Sequence, residues 1–280
     1  MASSWRRVGS IYRSVASAES CVMSGATLGS NGSGPPVRVC VVGSGSISRE
    51  FALHHFGAAT GTVVTAIVDL NEDRALELAV DVGSVAAGAT VGDNGTKYRA
   101  AASERRGTPV PHAASLGPVI SLCDAVYIGT TPGSHASIVI EALKAGKHVL
   151  LEKPLAASPE DADAIVDAAE AAEGLHVGMD IGIRLHTSTP LEYNSLCVFL
   201  SASYSLVFPG AGMRWNPALH ELRRLAVTEQ AIGALKSARL SMHYTMWPRE
   251  WQIQPWCAAR AEGGPLREVG THCEHLSIEP

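Results

Sequence analysis

The sequence has little charge, no long apolar run and no clustered cysteines, and each of these shortages excludes a class of protein. Only 18% of its residues are charged and the net charge is −5, so it lacks the broad basic surface of a nucleic-acid-binding protein. The longest strongly apolar run, Leu196 to Phe208, is too short to span a bilayer. Six cysteines without Cys-x-x-Cys spacing favour a reducing compartment over a disulfide scaffold. What is present is 46% hydrophobic residues, enough for a soluble globular core.

The first 36 residues differ in composition from the rest. They are rich in Ser, Gly and Ala, and Glu19 is their single acid. Trp5, Val8 and Tyr12 recur at helical spacing beside arginines, which is typical of an organellar transit peptide; a disordered tail is an equal interpretation. We expect a disordered or targeting segment at 1–36, and a cytoplasmic protein or, alternatively, one imported into mitochondria or another organelle.

From Val37 onward, short apolar runs alternate with helical patterns, which indicates parallel strands joined by helices. Four nearly continuous apolar stretches predict strands buried on both faces, at residues 37–42, 63–68, 125–128 and 148–151. Ser134 and Ser158 are expected to cap the helices that follow them. The stretch 83–115 is expected to be a long connection with one short strand near Val110.

A glycine-rich turn follows the first predicted strand and opens a helix. Gly43 permits the tight turn, Gly45 lets the backbone approach a pyrophosphate, and Ser48 is the small residue that allows the helix to pack on the strand. The amides of Ser46 and Ile47, at the positive end of the helix dipole, would hold the phosphates. In this strand–turn–helix context, the pattern G-x-G-x-x-S predicts a dinucleotide site.

Asp69 ends the second predicted strand, where a carboxylate can accept both hydroxyls of an adenosine ribose. A carboxylate there repels a 2′-phosphate, so NAD is favoured over NADP, although Arg74 lies near enough to weaken that preference. An acid at a strand end is also an ordinary turn residue, and glycine-rich loops followed by an acid occur in methyltransferases. The turn and Asp69 alone therefore leave the class of protein open.

A longer motif decides between these classes. Residues 125–132 are Ala-Val-Tyr-Ile-Gly-Thr-Thr-Pro, His135 follows, and residues 142–154 are Ala-Leu-Lys-Ala-Gly-Lys-His-Val-Leu-Leu-Glu-Lys-Pro. This run resembles, without a gap, the fourth and fifth strands of the Gfo/Idh/MocA family of sugar and polyol dehydrogenases. The resemblance covers residues 37 to 180 and resumes from Met213.

The resemblance implies roles for the residues after the first of these two strands. Thr130, Thr131 and Pro132 would form the floor beneath the nicotinamide and its ribose, and a doubly wound sheet places its ligands at such carboxyl strand ends. His135 is counted with the cofactor-binding residues, but capping or lining its helix is an equal interpretation, and its role stays open.

The next strand ends in a second implied set. The resemblance makes Glu152 and Lys153 cofactor-binding residues, and Lys153 also reaches substrate hydroxyls, where it would serve as acid or base. Pro154 fixes the turn and is often cis in the family. A solvated surface lysine is the alternative interpretation of Lys153.

The resemblance is interrupted after this region. Residues 183–212 match no family pattern, whereas joining Gly182 to Met213 would produce GMDIGMRWNPALHELRRL, a natural continuation. We therefore interpret 183–212 as an insertion, such as a translated intron or a gene-model error. Alternation over 238–246 predicts a strand with one buried face.

The block from Gly263 to His272 resembles the family pattern GGGxLxDxGxH, with Glu268 in the place of Asp. Residues four apart on a helix point the same way. The resemblance implies that Glu268 and His272 join Lys153 as catalytic residues, with His272 as the general base. Cys273 follows closely, but no second ligand pair supports a zinc site, so no metal is expected.

Together these patterns predict an α/β protein with a Rossmann-type doubly wound parallel sheet at 37–182 and a partial α+β domain at 213–280. The implied function is NAD-dependent, with NADP possible: hydride transfer between the nicotinamide cofactor and a hydroxyl or carbonyl carbon of a sugar, polyol or related small molecule. A non-catalytic nucleotide-binding or regulatory member of the family is the alternative, and a methyltransferase is the third choice.

The expected partner is a small-molecule substrate, and neither nucleic acid nor a membrane is expected. Because the chain stops at Pro280, most of the open sheet that the family carries after this helix is expected to be missing. A homo-oligomer like those of the family should therefore be disturbed.

Overall fold

The computed structural model describes most of the chain from residue 35 to 181 and parts of the chain after that. The described residues are 35–57, 60–88, 91–93, 98–100, 107–172, 175, 177–181, 207–211, 221, 224–231, 233, 243, 245–248, 252 and 254–268. The predicted targeting segment at 1–36 lies almost wholly outside them, and its role stays a prediction.

One parallel sheet of seven strands forms the centre of the molecule. In spatial order it contains β5 (His112–Ala113), β2 (Thr62–Val68), β1 (Val37–Val42), β6 (Ala125–Ile128), β7 (His148–Glu152), β8 (Val177–Ile181) and β9 (Val207–Ala211). Every neighbouring pair in it is parallel. The strand order reverses between β1 and β6, which is the topological switch point of a doubly wound sheet. The predicted fold class is therefore confirmed.

Helices connect the strands. They are α1 (Ser46–Glu50), which continues into a π-helical turn at Phe51–His55, α2 (Glu72–Ala86), α3 (His135–Lys144), α4 (Pro159–Ala171) and α5 (Pro265–Glu268). Short antiparallel strands, β3 (Val91–Asp93) and β4 (Tyr98–Ala100), form a separate pair. Within the described part of the chain, no helix is long and apolar enough to cross a membrane.

Helices cover both faces of the sheet because successive strand residues point to opposite sides. In β1, Cys40 and Val42 belong to the core cluster that includes α3 and α4. Val39 and Val41 belong to the cluster that includes residues of α2 and of the π-helical turn. Burial on both faces explains why the strands are continuous apolar runs in the sequence rather than alternating ones.

Of the two predicted helix caps, the structure confirms Ser158, whereas Ser134 forms no side-chain cap bond. The Ser158 hydroxyl accepts a hydrogen bond from Asp161 N at 3.1 Å and donates to Asp161 Oδ2 at 2.8 Å, which satisfies an amide at the start of α4. Ser134 precedes α3 as predicted, but its side chain makes no cap bond. Its hydroxyl donates instead to the Thr131 carbonyl at 2.9 Å, because a 3₁₀ turn at Pro132–Ser134 leads into α3.

Two further segments differ from the sequence expectations or add to them. Gly83 lies inside α2 rather than at the start of a connection. A glycine is required there because the backbone of Thr108 passes so close that a Cβ on Gly83 would lie 2.0 Å from its carbonyl oxygen. The short strand expected near Val110 is β5, but the expectation of a single strand in 83–115 was wrong, because β3 and β4 also lie there. β9 comes from within 183–212 and extends the sheet beside β8; the interpretation of 183–212 as an insertion stays a prediction. The predicted strand at 238–246 lies mostly outside the described residues.

Candidate functional site

The predicted site residues gather at one edge of the sheet, where β1, β6 and β7 end. Parallel strands bring their carboxyl ends to the same edge, and doubly wound sheets bind ligands there, beside the switch point. The turn that begins at Gly43 follows β1, Asp69 follows β2, and Thr130 to Pro132 follow β6. Glu152 closes β7 and Lys153 follows it.

The glycine turn packs directly on the end of β6. Gly43 has φ 95°, and a Cβ there would lie 2.7 Å from Gly129 O. Gly129 N donates to Val42 O at 2.8 Å, and a Cβ on Gly129 would lie 2.2 Å from Ser48 Oγ. The buried Ser48 is therefore the small residue that this contact requires. Sequence analysis missed Gly129, although a glycine directly after a neighbouring buried strand was the available signal.

Gly45 is surrounded differently. Among the residues that the structure describes, none apart from its chain neighbours has a heavy atom within 4 Å of a Cβ built on Gly45, and Ser46 and Ile47 beside it are exposed. The approach to the start of α1 is thus open from outside the fold. An open backbone approach at a helix N-terminus fits the phosphate groups of a dinucleotide.

Asp69 is held by the turn that it faces. Ser44 donates to Asp69 Oδ2 through its backbone N–H, at 2.9 Å, and through its hydroxyl, while Asn71 N donates to Oδ1 at 2.9 Å. A carboxylate has about four acceptor positions, so this arrangement leaves one of them, on Oδ1, for a ribose hydroxyl. Sequence analysis predicted two ribose bonds and overlooked Ser44, because nothing in the local pattern points to it.

Lys153 and Glu268 meet although they lie far apart in the sequence. Lys153 Nζ donates to Glu268 Oε1 at 2.6 Å and lies 3.2 Å from the Glu268 carbonyl oxygen. Only 16% of the Lys153 side chain and 8% of the Glu268 side chain are exposed, so water screens their attraction weakly. The extra methylene of Glu268 does not prevent the contact. The third predicted catalytic residue, His272, lies outside the described residues.

The Glu152 carboxylate accepts hydrogen bonds from two residues of the chain, one at each oxygen. Tyr127 is fully buried, and its hydroxyl donates to Glu152 Oε1 at 2.9 Å, while Lys153 N donates to Oε2 at 3.2 Å. The Tyr127 ring stacks on Phe51, with centroids 4.6 Å apart. Glu152 thus orients the backbone of Lys153, and a contact with a cofactor stays a prediction. Sequence analysis missed Tyr127, although a tyrosine in a buried aliphatic strand needs a partner for its hydroxyl.

His135 ties the two loops of the site together. Its ring is fully buried; Nδ1 lies 3.0 Å from Pro154 O and 3.3 Å from Leu155 O, and Nε2 lies 3.2 Å from Thr130 O. Burial lowers the pKa of His135, which favours the neutral ring with a single N–H. With the proton on Nδ1, the unprotonated Nε2 faces a single carbonyl oxygen, that of Thr130. With the proton on Nε2, the unprotonated Nδ1 would face two carbonyl oxygens, those of Pro154 and Leu155. The Nδ1–H tautomer is therefore preferred. His135 positions the loops, and a contact of its ring with a cofactor stays a prediction.

The segment 254–268 also contacts the loop after β6. Gly133 N donates to Glu262 Oε2 at 3.3 Å, six residues before the Glu268 that reaches Lys153. Sequence analysis did not single out Glu262. Across the residues whose positions are described, no group of three or more His, Cys, Asp or Glu is placed to hold a metal ion.

Comparison with known proteins extends these observations. Among curated proteins, the chain is 28% identical over 234 residues to 1,5-anhydro-D-fructose reductase of Ensifer adhaerens, covering 83% of this chain and 53% of that protein. It is 33% identical over 138 residues to inositol 2-dehydrogenase 3 of Saccharopolyspora erythraea, covering 49% of this chain and 33% of that protein. The chain therefore spans about half, or less, of the length of these relatives.

A solved structure supports the fold. GenD2 from gentamicin A biosynthesis, in complex with NAD, superposes with a TM-score of 0.52 at 17% identity, covering 85% of this chain and 52% of that chain. The family profile described as oxidoreductase family, NAD-binding Rossmann fold, matches residues 37–179, which decides against the methyltransferase interpretation. The match covers half of the chain and includes the glycine turn, Asp69 and Lys153, and the chain belongs to this Gfo/Idh/MocA family of oxidoreductases.

Proposed function

We propose that this chain carries the cofactor site and part of the catalytic site of an oxidoreductase that acts on a hydroxyl or carbonyl carbon of a sugar, polyol or related small molecule. The observation that carries the proposal is the close pair of Lys153 and Glu268, 2.6 Å apart at the carboxyl edge of the sheet. A mostly buried amine with a carboxylate partner, next to a dinucleotide turn, is equipped to move a proton during hydride transfer.

The proposed cofactor site runs along the carboxyl edge of the sheet, from the ends of β1 and β2 to the ends of β6 and β7. Gly43, Gly45 and Asp69 lie at the ends of β1 and β2 and would hold the phosphates and the adenosine ribose. A dinucleotide that crosses the switch point then has its nicotinamide half beside β6 and β7. Thr130, Thr131 and Pro132 would lie next to it, within reach of Lys153. NAD is the expected cofactor, and an exposed Arg74 near Asp69 leaves NADP possible.

The bound cofactor would accept or supply the hydride. In the oxidation direction, the substrate hydroxyl loses its proton through Lys153 and His272, with His272 as the general base, while its carbon loses a hydride, and a carbonyl forms. In the reduction direction, the Lys153 ammonium donates a proton to the carbonyl oxygen. Glu268 holds Nζ in position and stabilises the ammonium. His272 is proposed to share the proton with Lys153.

The test combines cofactor binding with turnover. We expect stoichiometric binding of NADH or NADPH by the purified chain, measured by nicotinamide fluorescence, and turnover within a panel of sugars and polyols. Replacing Lys153 by Met should lower kcat by about 10²- to 10⁴-fold, the usual contribution of a general acid or base. Lys144→Met, which removes an exposed lysine of α3, is the matched control and should leave kcat unchanged.

Three results would contradict the proposal in different ways. Absence of binding for all four nicotinamide nucleotides would reject the cofactor site itself. Stoichiometric binding without turnover of any sugar or polyol would reject the catalytic part and favour a non-catalytic, ligand-sensing member of the family. An unchanged kcat in Lys153→Met would assign the proton to another residue.

A further inference from the structure

Glu262 brings a negative charge to the loop that follows β6. Its Oε2 accepts the Gly133 N–H at 3.3 Å, and a Cβ on Gly133 would lie 3.2 Å from that oxygen. The carboxylate therefore lies against the turn at Pro132–Ser134. This turn is on the β6 side of the switch point, where the nicotinamide half of a dinucleotide would lie under the proposed function.

Among the described residues at this edge, the other charged groups already have bonds within the fold. Lys153 pairs with Glu268, and Glu152 is buried with bonds from the Tyr127 hydroxyl and the Lys153 amide. Glu262 is only partly buried, and no arginine or lysine of the described chain forms an ion pair with it. Glu262 therefore places a carboxylate without a described cationic partner beside the loop after β6, at the nicotinamide end of the proposed site.

The two redox states of a nicotinamide differ in charge. The oxidised ring carries one positive charge and the reduced ring carries none. A carboxylate beside the ring attracts the oxidised form and leaves the reduced form almost unaffected. Solvent screening at a half-exposed position limits this difference, so the expected effect on the ratio of affinities is about three- to tenfold.

We propose that Glu262 is a specificity-determining residue that raises the affinity of this site for the oxidised nicotinamide cofactor relative to the reduced one. The inference rests on the proposed function, because it takes the site to bind a nicotinamide dinucleotide. It assigns Glu262 a role separate from that of Glu268, although both belong to one segment. Glu268 holds the Lys153 amine, whereas Glu262 sets the charge beside the ring.

The test compares dissociation constants for NAD⁺ and NADH by titration calorimetry. Glu262→Gln keeps an oxygen that can accept the Gly133 N–H and removes the charge. We expect NAD⁺ affinity to fall about three- to tenfold with NADH affinity unchanged, and the difference to shrink as ionic strength rises. Glu170→Gln removes the same charge from an exposed position on α4 and should change neither affinity.

Each other outcome has a definite meaning. Equal losses of NAD⁺ and NADH affinity in Glu262→Gln would show a purely structural role and overturn the inference, as would an unchanged ratio. An equal shift of the ratio in Glu170→Gln would attribute it to net charge and also overturn it. A wild-type chain that binds neither nucleotide would instead reject the proposed function. Thermal melts of each variant verify that it is folded.

Discussion

At the residue scale, Gly43 and Gly45 lack side chains for different reasons. Gly43 has a left-handed backbone, and the carbonyl of Gly129 occupies the space where its Cβ would be. Gly45 has ordinary dihedral angles, φ −68° and ψ 177°, and open space around it. The fold therefore requires the first glycine, whereas the described fold does not require the second, for which close approach of a bound phosphate is the proposed reason.

Alanine at each position should separate these requirements. We expect Gly43→Ala to reduce the free energy of unfolding by about 2 kcal/mol or more, since both dihedral strain and a backbone clash oppose it. Gly45→Ala should change stability by less than about 0.5 kcal/mol and weaken NADH binding about tenfold or more, or about 1.4 kcal/mol. Urea unfolding and NADH fluorescence measure the two effects. Equal stability of the two variants would refute the packing argument.

His135 makes stability depend on pH. Burial lowers its pKa from the ordinary value of 6.5, so the unfolded chain takes up a proton before the folded chain does. The contribution of His135 is therefore complete above pH 6.5 and is lost as pH falls below it. We expect the melting temperature of the wild type to fall more steeply below pH 6.5 than that of His135→Gln, which cannot titrate.

An exposed histidine serves as the comparison. His112→Gln removes an exposed imidazole on β5 and should retain the wild-type slope of melting temperature against pH. If His135→Gln and the wild type lose stability in parallel from pH 7 to pH 5, the buried His135 ring is not the cause of the pH dependence.

At the element scale, a buried ion pair joins α1 to α2. Arg49 is 3% exposed and its Nη2 bonds Asp81 Oδ2, which is fully buried; its Nη1 also lies 3.9 Å from Glu77 Oε2. Arg49 directly follows Ser48, the small residue of α1 that packs against Gly129. The pair thus fixes the orientation of the helix whose start would hold the phosphates.

Breaking this pair should cost far more than breaking a surface pair. We expect Arg49→Met to destabilise the fold by about 3 kcal/mol or more, since it removes the cation that balances a buried carboxylate. The double variant Arg49→Met with Asp81→Leu should recover much of that loss. Arg38 and Asp124, 47% and 42% exposed, are the control, and Arg38→Met should cost at most about 1 kcal/mol.

Chemical denaturation of these variants provides the free energies. A double variant no more stable than Arg49→Met would mean that the carboxylate is not the source of the cost. A surface variant as damaging as the buried one would show that solvent screening does not separate the two pairs.

At the scale of the whole molecule, the site exists because parallel strands end at one edge. Gly43, Asp69, Thr130 and Lys153 come from four different strand ends, and the sheet order places them side by side. A later segment then adds Glu262 and Glu268 to the same edge. The turn after β1 and the lysine after β7 thus lie at the same edge of the sheet, although 110 positions in the sequence separate Gly43 from Lys153.

Much of this could be predicted from the sequence. β1 and β6 have the predicted bounds, because a strand buried on both faces leaves an uninterrupted apolar run between turn residues. The glycine turn and the Glu-Lys-Pro motif are local patterns, and they predicted the family and one edge of the site. The expected start of the connection at Gly83 was wrong, because α2 continues to Ala86 and the glycine makes room for the backbone of Thr108.

The amino-acid order alone determined the strand pattern, the dinucleotide turn and the family, because each is recorded in residues close together in the chain. Only the tertiary structure decided which groups form hydrogen bonds at the candidate site. Ser44 donates to Asp69, Tyr127 donates to Glu152, and the Gly133 amide donates to Glu262. Periodicity reports how local segments are buried, but not which distant donor meets which acceptor. That choice depends on strand order and on the packing of segments far apart in sequence.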